Sequence, residues 1–165
     1  MNFSLTYVLD RQYYEEAYRE MISSLKLKKY EPVFAIIMIV FGIGLYLLDK
    51  NNKLSIFPLV FICLGIYEYY KVHYEKKKWL KDRLDSRVFN QPMTLEFNEA
   101  TIKHSSTFAD GEFKWDGLKD IVKTKNGILL KPENGVSIYL PDKIFRSSEE
   151  IEFILSRKKG EKHKS

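Results

Sequence analysis

Two long stretches of this sequence carry no charged side chain and are separated by only five polar residues, and no other feature limits its possible folds so strongly. The longer, Pro32 to Leu48 (PVFAIIMIVFGIGLYLL), contains eleven Leu, Ile, Val and Phe residues in 17. As a helix it spans about 25 Å, close to the roughly 30 Å hydrocarbon core of a bilayer. Those eleven side chains favour insertion by about −3 to −7 kcal/mol, and nothing charged opposes them. Leu54 to Tyr67 is also uncharged, and the run extends to Tyr70 if Glu68 lies at the interface. The link Asp49-Lys50-Asn51-Asn52-Lys53 is so short that the two segments must be antiparallel neighbours. Pro32 and Pro58 fall near the expected helix starts, where a missing N–H is tolerated. A soluble hairpin would need the rest of the chain to cover two helices that are apolar on every face, and 165 residues supply too little material. A transmembrane helical hairpin is therefore expected over residues 32–70, as helices 32–48 and 54–70.

Basic residues orient this hairpin. Arg11, Arg19, Lys26, Lys28 and Lys29 precede it, whereas Lys71, Lys76, Lys77, Lys78, Lys81, Arg83 and Arg87 follow it. The link holds only Lys50 and Lys53, so the positive-inside rule places both termini in the cytoplasm. A juxtamembrane linker over 71–89 would bring Lys71, Lys76, Lys77, Lys78, Lys81 and Arg83 to anionic lipid headgroups, at about 1 kcal/mol each near the surface. The interleaved Tyr74 and Trp79 could stack on bases, but a site within two turns of the bilayer suits a polymer badly, and nucleic acid is not expected as a partner. The same basic run also serves as a topology signal that needs no ligand. Met1 to Leu9 lacks the basic start and apolar centre of a cleavable signal peptide.

The N-terminal segment, residues 1–31, combines a short alternating strand at Asn2 to Val8 with an amphipathic helix from Arg11 to about Lys29, capped by Asp10. Tyr14, Ala17, Tyr18, Met21, Ile22 and Leu25 form the apolar face of that helix, leaving Glu15, Glu16, Arg19 and Glu20 mostly elsewhere. From Asn90 the period changes to two. Strands are expected at 92–97, 100–105, 111–115, 118–124, 127–131 and 136–140, punctuated by Asp110-Gly111, Asp116-Gly117, Asn126-Gly127 and Asn134-Gly135. These pairs accept positive φ in tight hairpins, which points to an antiparallel meander. Ser147-Ser148-Glu149-Glu150 has the pattern of a capping box, opening a helix with Ile151, Ile154 and Leu155 on its sheet-facing stripe. The basic tail, 157–165, is expected to lie outside this domain of residues 90–156.

Phe113-Lys114-Trp115-Asp116, Ile121-Val122-Lys123, Ile128-Leu129-Leu130 and the block from Ile138 to Phe153 together resemble the YcxB-like family of small bacterial membrane proteins. The resemblance covers about residues 85–156, and the hairpin by position and hydropathy alone. Asp142 departs from the family's usual pattern, in which a basic residue follows the proline directly. The resemblance implies a half-barrel of the pleckstrin-homology (PH) type capped by a helix, and it implies no enzyme activity. Such a barrel would be completed by a seventh strand, which Asn2 to Val8 could supply.

Residues that could carry chemistry are scattered. His73, His104 and His163 have no ligand-spaced neighbours, and the single cysteine, Cys63, lies in the second apolar run as a small hydrophobe, so neither metal nor cofactor is expected. His104 shares a strand face with Ala100 and Ile102 and is expected to be half-buried, while Phe113 and Trp115 are assigned to the core. Gly42 and Gly65 would let the two apolar helices approach closely, as would Gly44. The whole is an α+β membrane protein: a two-helix transmembrane hairpin with a small antiparallel β domain capped by a C-terminal helix. Its expected role is a membrane-anchored cytoplasmic binding or regulatory module without catalytic activity. Its partners would be the bilayer and either anionic headgroups or a protein taken up at a sheet edge, with homo-oligomers left open. The alternative is a protective, immunity-type membrane protein or an accessory subunit of a membrane complex.

Overall fold

The computed structural model describes residues 1–48, 56–108, 110–133 and 135–158. The expected link at 49–53, the start of the second apolar run, Asn134 and the tail from Lys159 (His163 included) lie outside them. In chain order the elements are β1 (Phe3–Val8), α1 (Arg11–Ser23), α2 (Glu31–Leu48), α3 (Ile56–Leu84), β2 (Pro92–Phe97), β3 (Thr101–Ser106), β4 (Asp110–Lys114), β5 (Leu118–Lys123), β6 (Gly127–Pro132), β7 (Ile138–Pro141) and α4 (Ser148–Ser156). The chain divides into two compact units, one made of Met1–Ser24 and the chain from Arg83 on, the other of Leu25–Asp82.

In the first unit, β1 to β4 form a four-stranded antiparallel sheet in sequence order, and β5 to β7 form a second, three-stranded one. β1 pairs with β2 over its whole length, from Phe3 opposite Phe97 to Val8 opposite Pro92. Residues 1–31 are therefore not a segment apart, because their strand and first helix belong to the C-terminal fold and the hairpin is inserted between β1 and β2. Alternation decides which faces are buried: Leu5, Leu95, Phe97 and Ile102 lie inside, while Ser4, Thr6, Glu96 and Lys103 face out. Along β6, Ile128, Leu129 and Leu130 are all buried in succession, so this central strand is covered on both faces. Phe3, Phe97, Trp115 and Phe153 meet in an aromatic joint with ring centroids 5.0–6.0 Å apart, and the Trp115 indole N–H donates to the Asn98 carbonyl at 2.8 Å.

Local capping decides the helix lengths. Asp10 accepts from the Tyr13 N–H at 2.7 Å and starts α1 where expected. That helix stops at Ser23 rather than near Lys29, because the Ser23 and Ser24 hydroxyls bond the Glu20 and Met21 carbonyls and compete with a further turn. Leu25, expected on the apolar face, is exposed beyond the end. Ser147 occupies the N-cap of α4 without a side-chain bond, so the expected capping box is only half made. Its other half is shifted by one residue: the buried Glu150 carboxylate accepts from the Arg146 N–H at 2.9 Å.

Three of the four glycine pairs lack the positive φ expected of them, Gly135 being the exception. Among the described residues positive φ occurs only at Asn90 (58°) and Gly135 (118°). Gly111 instead lies within β4, where the His104 imidazole occupies the space a Cβ would need. Gly127 opens β6, and a Cβ there would meet the Leu140 carbonyl and the Tyr139 ring. Close approach of neighbouring strands, not turn geometry, requires glycine at these two positions.

The second unit holds α2 and most of α3. A Cβ on Gly42 would stand 2.8 Å from the Pro58 carbonyl, and one on Gly65 2.8 Å from the Ala35 carbonyl, so both glycines bring the two backbones together. Gly44 faces open space and takes no part. α3 is a single helix through Leu84, so most of the stretch expected as a linker, 71–89, is a rigid continuation of the apolar segment. Among the described residues one helix, Lys28–Leu48, is long and apolar enough by length and composition to cross a membrane. α3 does not qualify alongside it, since Glu68 and Lys71 follow soon after the described apolar run begins at Ile56.

Candidate functional site

The basic residues expected to touch lipid, Lys71, Lys76, Lys77, Lys78, Lys81 and Arg83, all lie on α3, and the helix sorts them onto different faces. At 100° per residue, Lys77, Lys78 and Lys81 project on one side, together with Tyr67, Tyr70 and Tyr74. The three tyrosines are 60 %, 66 % and 54 % exposed, and the Tyr70 and Tyr74 rings stack with centroids 6.1 Å apart. All three lysines are exposed. This stripe points away from Pro58 and Gly65, the buried side of α3 that meets α2.

The other basic side chains of the expected set are placed differently. Lys71 stands at the margin of the stripe, its ammonium 3.2 Å from the Glu68 carboxylate. Lys76 and Arg83 project about 150° away, near the side that carries Pro58 and Gly65. Two acids of α3, Glu68 and Glu75, stand apart from the stripe. Glu75 is paired at 2.8 Å with Lys28, whose hydrogen bond holds its carboxyl below the usual range. Three of the six expected residues thus form one surface; of the tyrosines above them Tyr74 was noted among the basic residues, but its grouping with Tyr67 and Tyr70 was missed at the level of sequence. The signal that could have found them is their 3- and 4-residue spacing, which runs unbroken from Tyr67 to Lys81.

A second cluster, unforeseen from the pattern, lies in the first unit where α1 meets the three-stranded sheet. Glu20 is only 5 % exposed, and one of its oxygens accepts from the Asn126 side-chain amide at 2.7 Å while the other has no partner. The Tyr139 hydroxyl lies 2.8 Å from Glu16 and 2.9 Å from the Asn126 carbonyl, and the Tyr13 hydroxyl donates to the Tyr139 carbonyl at 2.9 Å. Burial, reinforced by the Glu16 carboxylate, pushes the Tyr139 phenol far above its ordinary range, and burial does the same to Tyr13 and Tyr7. Nearby, Lys123 holds Asp142 at 2.6 Å, and Lys143 approaches Glu16 at 3.7 Å. These bonds fasten α1 to the sheet, and no nucleophile with an attendant base stands among them.

A shallow groove of about 370 Å³ runs beside β3 and β4, lined by Glu96, Lys103, His104, Asp110 and Glu112 among others. His104 is half-buried as expected, with Nδ1 buried and unpartnered. Among the described residues no group of three His, Cys, Asp or Glu side chains could hold a metal ion. Trp115 is buried as expected, but Phe113 is only half so.

From the last residue of β2 through the whole of α4, the strand order, the Trp115 turn and the Pro141 boundary follow the blocks that carried the sequence resemblance. Residues 97–156 match the family model of YcxB-like proteins. No curated protein and no solved structure matches the chain. The YcxB-like stretch covers β3 to β7 and α4, whereas β1 and α1, which complete its sheet and cover its β6, lie outside it.

Proposed function

We propose that this chain is a membrane-anchored binding module without catalytic activity, in which the first part of α3 forms a second span beside α2. The observation that carries this reading is the surface of the helical unit. Val33, Phe34, Ile37, Val40 and Phe41 on α2, and Phe57, Leu59, Leu64 and Ile66 on α3, are all exposed, rising to 80 % at Leu48 and 73 % at Ile56. What these helices bury against each other is small: Ala35, Gly42, Pro58 and Gly65. An apolar surface of this extent on a monomer is stable in lipid and a liability in water. The distribution of Lys and Arg supports an orientation with both termini in the cytoplasm. The four-plus-three strand arrangement ending in α4 supports a PH-like reading of the YcxB-like unit, with binding as its proposed mode of action.

The test has two parts. The full-length protein should aggregate when detergent is removed, and an epitope tag inserted at Asn51 should be labelled from outside intact cells, while tags at either terminus should not. A protein that stays monodisperse without detergent, or labelling of the termini alone, overturns the reading.

A further inference from the structure

Along the exposed side of α3 the chemistry changes in a fixed order. Ile56, Leu59, Val60 and Cys63 come first, then Tyr67, Tyr70 and Tyr74, then Lys77, Lys78 and Lys81, all exposed and all on the face turned away from Pro58 and Gly65. Apolar, aromatic and cationic zones follow one another along about 38 Å of a single helix. This is the order of layers met on leaving a bilayer: hydrocarbon, the interfacial level where tyrosine rings settle, and the phosphates of the headgroups. Glu68 and Glu75 lie on another face and are paired with Lys71 and Lys28, and the exposed Asp82 borders the stripe only at its lysine end. No ion pair involves Lys77, Lys78 or Lys81 among the described residues. A nucleic-acid groove would alternate stacking rings with cations along the strand it binds, whereas here the two are segregated along the axis.

We propose that Tyr67, Tyr70, Tyr74, Lys77, Lys78 and Lys81 form a binding site for anionic phospholipid headgroups, the tyrosines setting the depth of the helix and the lysines engaging phosphate. The proposal rests on the membrane reading above and narrows the expected six-residue set to the three lysines of the stripe. Long lysine stems lie along the helix while their ammonium groups reach the phosphate level, and each contributes separately to attraction toward a negative surface.

The experiment uses full-length protein in detergent micelles, with native mass spectrometry counting bound phosphatidylglycerol against phosphatidylcholine supplied in equal amounts. The wild type should retain phosphatidylglycerol selectively, and K77Q/K78Q/K81Q should lose about 100-fold of that preference at low salt. A charge-matched control, K76Q/K114Q/K119Q, removes three exposed lysines elsewhere and should keep the selectivity. Equal loss in both variants, or tighter binding of a single-stranded oligonucleotide than of phosphatidylglycerol, overturns the proposal. A wild type that needs detergent yet shows no lipid preference overturns it too and leaves the membrane reading standing; one that needs no detergent removes both.

Discussion

Tyr139 shows how much a single side chain on a short strand can organise. Its ring packs against Tyr13 and crosses the space left by Gly127, and its hydroxyl reaches both Glu16 on α1 and the Asn126 carbonyl before β6. Replacing it with phenylalanine removes both part-buried hydrogen bonds and should cost about 1–3 kcal/mol at neutral pH. The phenol's raised pKa adds a dependence on alkali. A group whose pKa is higher in the folded state contributes stability that is complete below its unfolded value, about 10 for tyrosine, and that is lost as pH rises beyond it. Chemical denaturation between pH 7 and 11 should therefore show stability falling above about pH 10, and Tyr139→Phe should flatten that decline while lowering the plateau. An unchanged slope in the variant would assign the alkaline loss to other groups.

Among the elements, β1 has the largest effect for its length. Six residues close one edge of a sheet whose other three strands begin more than eighty positions later, and they supply Leu5 and Tyr7 to the core. Thr6 and Thr94 stand opposite each other with their hydroxyl oxygens 3.0 Å apart on the outer face. In T6C/T94C a disulfide should form on mild oxidation, detectable as a mobility shift that reductant reverses, whereas T6C/Ser105→Cys should not cross-link because β2 lies between those strands. Failure of the first pair to form would remove β1 from the sheet. α3 makes the complementary point: once the basic stretch is helical, charges that alternate along the sequence separate into a tyrosine–lysine stripe and an ion-paired face.

For the whole molecule, the consequence is that the unit holding both sheets is discontinuous in sequence. Residues 85–165 by themselves lack β1, α1 and the bonds from Glu16, Glu20 and Tyr13, and should be insoluble or unfolded. Joining residues 1–24 to 83–165 through a flexible Gly/Ser linker removes the apolar unit and should yield a cooperative thermal transition without detergent. Folding of 85–165 alone to equal stability would show that the N-terminal pieces are dispensable.

Local pattern alone was enough for the existence of nearly every element, because burial on one face imposes a period on the sequence. The strands from Pro92 to Pro141 were legible to within one or two residues, as were the Asp10 cap, α2 and the close-approach glycines Gly42 and Gly65, whereas α3 runs on to Leu84, well past its expected end at Tyr70. The sequence could not show that Glu20 is buried, since a charged residue is buried only when a partner such as Asn126 arrives from a distant turn. Nor could it separate a glycine that turns from one that makes room, as at Gly111 and Gly127, where the neighbour that needs the space comes from another strand. Hydropathy and alternation are properties of neighbouring residues and survive in the unfolded chain. The pairing of β1 with β2 and the α1 latch exist only once remote segments meet, and so only the tertiary structure decided them.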